Sequence, residues 1–185
     1  MFRDWGDFFF LIGSAAASLI GLLFVVVTLN QGRERETALK GANTYMTPIV
    51  FHFGVVLVLS AAAVAPGLGQ TGIGLAESVC AAIALIYSLI ILRRLRAWSS
   101  IAPPHWTDVW FYGVAPLLIY LGLAAAAVMV WAAPAWAAYG LALVLLAHLL
   151  LGIRNEWDLV TWLAPGLPPV EADAGPPAQP PAAGA

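Results

Sequence analysis

The chain has 185 residues, 62% hydrophobic and only 10% charged, with a formal net charge of −2 and a mean hydropathy of +0.88. Soluble domains carry about 25% charged residues, so this composition excludes a water-soluble globule and, lacking any broad basic patch, a nucleic-acid binder. Cys80 is the only cysteine, which excludes an intrachain disulfide and a cysteine-based zinc knuckle.

A spanning helix needs about 20 mostly apolar residues to cross a hydrocarbon core about 30 Å thick. Five stretches meet that requirement: residues 8–29, 48–65, 73–92, 109–131 and 136–153. The first begins behind Arg3, Asp4 and Asp7 and stays apolar to Leu29. It is too long and too weakly basic at its start for a secretory signal and is expected to be retained. It carries Gly13, Ala17 and Gly21 at four-residue spacing, a small-residue stripe that allows close helix packing. The fitting partner is a neighbour in the same chain or a second copy.

Thr47 and Pro48 read as a helix cap followed by proline at the first helical position. Residues 67–74, GLGQTGIG, lack the lysine of a phosphate cradle and predict a tight turn. Thr107 is placed to cap the fourth span. Pro116, about two turns into it, predicts a bend. The fifth span ends near Ile153, and the chain beyond it is expected to stay helical for two or three turns as a short helix in the membrane interface, with Ile153, Trp157, Val160 and Leu163 or Ala164 as its apolar stripe. Residues 165–185 are rich in Pro, Ala and Gly and predict a disordered tail. The chain therefore divides into a helical bundle over residues 1–164 and a tail over 165–185.

Five spans put the connections on alternating sides. Arg33, Arg35, Lys40, Arg93, Arg94, Arg96 and Arg154 then share one side, and Arg3 is alone on the other. The positive-inside rule predicts that the N-terminus is outside and the C-terminus in the cytoplasm. The eight tryptophans all fall near predicted span ends, where indole rings prefer to lie. The expected fold is all-α, a five-span polytopic bundle.

No catalytic motif is present: no P-loop, HExxH, GxSxG or CxxC occurs, so no enzyme, cofactor or metal is expected. The polar residues expected near the cytoplasmic face are Asn30, His52, Asp108, His148, Arg154, Asn155, Glu156 and Asp158. His52 and His148 share a depth when counted from their span ends. Asp108 suits a helix N-terminus and His148 a helix C-terminus, and Arg154 and Asp158 can pair across one turn. Glu77 sits one turn inside the outer end of the third span, where the simplest expectation is contact with outer water and the sharper one an ion-attracting group facing the bundle interior.

The segment GIRNEWDLVTW, residues 152–162, resembles the C-terminal signature of small bacterial multi-pass membrane proteins with an IRNxWD pattern; that resemblance implies no activity. Two functions fit the sequence. The first is a non-enzymatic accessory or scaffold protein that binds lipid, a membrane-protein partner or a second copy. The second is a small proton or ion channel or carrier built on His52, His148 and Asp108, with Glu77 as a further candidate.

Overall fold

The computed structural model describes residues 2–29, 46–98 and 105–163. These contain five helices long and apolar enough to cross a membrane, and among the described residues there is no strand. After a 3-10 turn at Arg3–Trp5, α1 covers Gly6–Leu29, α2 Thr47–Val64 and α3 Gln70–Trp98. The fourth element, α4, runs over Trp106–Ala132. It comprises a helical turn at Trp106–Asp108, a π-helical stretch at Val109–Val114 and an α-helix at Ala115–Ala132. The last, α5, spans Pro134–Leu163.

Each helix packs on its neighbour in sequence, α1 closes the ring against α5, and α2 meets α5 across the middle. The two connections at one end are tight. Ala65, Pro66, Gly67 and Leu68 form a turn closed by the Leu68 amide on the Ala65 carbonyl at 3.4 Å. Gly67 takes φ +78°, the third-position conformation of a type II turn that glycine adopts without steric cost, with proline favoured before it. Between α4 and α5 stands only Ala133, and Pro134 starts α5 where its missing N–H is not needed. This end is the short-turn end; the opposite one, bearing Arg93 and Arg154, is the arginine end.

Close approach fixes the central helices. A Cβ on Gly152 of α5 would lie 2.7 Å from Cζ of Phe53, a fully buried ring of α2. A Cβ on Gly13 of α1 would come 2.9 Å from the Ser60 Cβ of α2. The small-residue stripe divides at that point: Gly13 is buried in the α1–α2 seam, whereas Ala17 and Gly21 face outward, and among the described residues nothing lies within 4 Å of a Cβ added at Gly21.

Three local expectations need correction. The fifth span does not end near Ile153: the helical turns expected beyond it are present, but as an unbroken continuation of α5 to Leu163, so residues 154–163 are not a separate interfacial helix. Thr47 does not occupy the N-cap position: α2 already includes it, and the N-cap is Met46. Thr107 does not cap α4 either; it lies inside the first turn, and its hydroxyl pairs with His105 Nδ1 at 2.8 Å. The tail over 165–185 lies outside the described residues.

Candidate functional site

Three aromatic polar side chains from three helices meet inside the bundle. His52 comes from α2, Tyr120 from α4 and His148 from α5. His52 is 2% exposed, and Tyr120 and His148 are 0% exposed. The Tyr120 and His148 rings lie 4.3 Å apart between centroids, those of His52 and Tyr120 5.5 Å and the two imidazoles 5.8 Å. Counted inward at about 1.5 Å per residue, all three stand about 18–21 Å from the short-turn ends of their helices. That is within the hydrocarbon layer and past its middle.

The hydrogen bonds define what this cluster can do. His52 Nδ1 pairs with the Tyr120 hydroxyl at 2.6 Å. The Val144 carbonyl lies 3.2 Å from His148 Nδ1. A carbonyl only accepts, so His148 carries its proton on Nδ1 and presents a bare Nε2 lone pair. Nε2 of His148 and Nε2 of His52 are both buried and without a partner. When the phenol donates to His52 Nδ1, the second nitrogen of His52 carries a proton. One imidazole then offers a proton and the other a lone pair, in adjacent rings.

A second polar layer closes the arginine end, about 30 Å from the short-turn end by the same rise. Its cause is Pro116. In the π-helical stretch the Ala115 N–H reaches the Trp110 carbonyl. The next bond in that register would run from residue 116 to the Phe111 carbonyl, but proline has no N–H. The Asn155 side-chain amide donates to the Phe111 carbonyl instead, at 3.1 Å. Around it, the Tyr112 hydroxyl donates to the Asn155 carbonyl at 3.1 Å, and the Arg154 guanidinium lies 3.8 Å above the centre of the Phe111 ring. Arg154 also reaches Asp158 at 3.6 Å. The expected bend at Pro116 thus takes the form of a widened helical turn whose freed carbonyl is satisfied from α5.

The expected polar rim therefore separates into parts. His52 and His148 converge, as their shared depth allowed, but within the bundle and not at its mouth. His148 is not near a helix C-terminus, because α5 continues for about four more turns at 3.6 residues each. Arg154, Asn155 and Asp158 assemble against Phe111 and Tyr112. Asp108 joins that second layer, with Asp158, His105 and Arg154 as its electrostatic neighbours, and not the histidines. Glu156 is buried, with one carboxylate oxygen unpartnered. Asn30 lies outside the described residues. Glu77 does not face outer water: it is 0% exposed, with both carboxylate oxygens lacking a hydrogen-bond partner.

Sequence reading missed Tyr120, Tyr112 and Phe111. Tyr120 was within reach, since it shares the depth of the histidines when counted from the short-turn ends. Phe111 acts through a backbone carbonyl, which no side-chain pattern marks. Among the described residues, no three His, Cys, Asp or Glu side chains gather as a metal site. Compared with protein-family models, curated proteins and solved structures, the chain matches none.

Proposed function

We propose that the chain is a small, non-enzymatic multi-pass protein of the bacterial inner membrane that passes protons across the bilayer, with His52, Tyr120 and His148 as the proton-holding centre. The observation that carries this reading is the pair of unpartnered ring nitrogens in two adjoining imidazoles, one of them bonded to a buried phenol. A buried polar atom left without a partner costs about 1–3 kcal/mol, and two leucines would fill the same space at no such cost. Ionisable groups inside membrane bundles commonly serve proton relays, and histidine exchanges its proton near neutral pH.

In this conformation the centre is shut off from water, which suits a gated path or an alternating carrier and not a standing pore. The charge asymmetry supports an orientation with the short-turn end outside and the arginine end in the cytoplasm. A scaffold role accounts for the lipid-facing apolar surface but gives no reason for the unpartnered nitrogens.

The test is proton uptake by liposomes holding purified protein under an imposed pH gradient. Wild type is expected to exceed protein-free liposomes, and the His52→Ala/His148→Ala variant to lose the excess while its circular dichroism stays helical. Flux no greater than in protein-free liposomes, from folded wild type, would contradict the proposal and return the scaffold reading to first place.

A further inference from the structure

Glu77 lies in the part of the bundle that the His52–Tyr120–His148 centre leaves unused. It is 0% exposed, and neither carboxylate oxygen has a hydrogen-bond partner. The only ion pair found among the described residues joins Arg154 and Asp158, at the opposite end of the molecule. On the helices that pack against α3, the titratable or charged side chains are His52 in α2 and Asp108, Tyr112 and Tyr120 in α4; none is a cation at the depth of Glu77. An ionised carboxylate in such surroundings, with no counter-charge and no donor, carries a prohibitive desolvation cost. A neutral carboxylic acid does not.

Along the bundle, Glu77 lies between a cavity at the short-turn end and the three-ring centre. A cavity of about 440 Å³ at the short-turn end has Gln70 and Ile73 in its wall. Ile73 precedes Glu77 by one helical turn on the same face, and Glu77 itself is not in that wall. Trp131 covers the adjoining surface, its ring so close over Gly74 that a Cβ there would lie 2.6 Å from Cζ2. The Gln70 amide donates to the Val130 carbonyl at 2.6 Å, which sets the register of α3 on α4. Measured inward from that bond at about 1.5 Å per residue, Glu77 stands about 10 Å deep and Tyr120 about 15 Å. Cys80, one turn further along α3, has Glu77 and Tyr120 as electrostatic neighbours.

We propose that Glu77 is a proton-binding carboxyl in the outer half of the bundle, holding a proton in this closed conformation and standing between the short-turn cavity and the Tyr120 hydroxyl. Its place as a station on a relay rests on the proton-transfer reading above; proton binding at Glu77 does not.

Dicyclohexylcarbodiimide, which partitions into lipid and reacts with protonated carboxyls in apolar surroundings, separates the two. Wild-type protein in liposomes is treated across a pH series and mapped by mass spectrometry. Glu77 is expected to be labelled, with a rate that falls as pH rises, and Glu77→Gln to carry no label at that position. A folded protein that stays unlabelled at Glu77 at every pH of the series would overturn proton binding. Glu77→Gln keeps the size and shape of the side chain without its acidity, so it is expected to fold and to lose at least tenfold in proton uptake. Unchanged uptake in that variant would overturn the relay. Absence of uptake in wild type would remove the relay with the function it rests on, while the labelling result would still decide whether Glu77 binds a proton.

Discussion

At the residue scale, the side chains that matter satisfy, or leave unsatisfied, a polar atom in a place where water cannot help. Asn155 satisfies one: its amide takes the Phe111 carbonyl that Pro116 cannot reach. Removing it in Asn155→Ala should cost about 1–3 kcal/mol, the penalty of a buried acceptor left alone, read from unfolding in mixed detergent micelles. Gly152 matters through what it lacks, since its bare Cα leaves room for the Phe53 ring. Gly152→Ala should destabilise by about 1–3 kcal/mol through overpacking, and a stability equal to wild type would show that Phe53 has space to retreat. The Arg154–Asp158 pair, by contrast, is partly exposed on one helix face, and its loss should change stability by only about 0.3–0.5 kcal/mol. The depth of His52 and His148 was legible from their distance to the span ends. That they face one another was not, because a nearly uniform apolar helix carries no amphipathic stripe from which to read azimuth.

At the element scale, α4 and α5 are one mechanical unit. The widened turn at Val109–Val114 and the polar segment of α5 form a matched pair, the first exposing a carbonyl and the second supplying a donor. A double-mutant cycle tests the match. Pro116→Ala restores an N–H that can take the Phe111 carbonyl, so Asn155→Ala should cost less in that background than in wild type, by about 1 kcal/mol or more. Equal costs in the two backgrounds would separate Pro116 from Asn155. The same unit explains why the fifth span runs past the limit its composition suggests. Polarity rises sharply after Ile153, and by composition alone that change marks the end of the span. Polarity marks where a helix leaves hydrocarbon, but backbone bonds decide where the helix ends. Here they continue to Leu163, and the Arg154–Asp158 run is polar because it docks on α4. The number of spans and their approximate limits were readable, because length and hydropathy leave few alternatives for a chain in lipid.

At the scale of the whole molecule, the bundle stacks three polar levels along one axis: Glu77 near the short-turn end, the His52–Tyr120–His148 centre past the middle, and the Asn155 layer at the arginine end. The orientation inferred from arginine placement puts these in order from outside to inside. A reporter that is active only outside the cell, fused after Ala185, is expected to stay silent, and activity would reverse that order. The levels were only partly visible in the sequence. For Glu77 the sequence leaves both outer water and the bundle interior open, since a position one turn from a helix end does not tell that the side chain is fully buried.

The most direct measurement is the rate of proton uptake into liposomes by wild type and Tyr120→Phe, side by side at equal protein density. The substitution removes one oxygen from the 2.6 Å bond with His52 and leaves the ring packing on His148 in place, so the bundle should remain folded. If the three-ring centre holds and passes the proton, uptake should fall at least tenfold. Equal rates in the two proteins, or no uptake by folded wild type above protein-free liposomes, would contradict it.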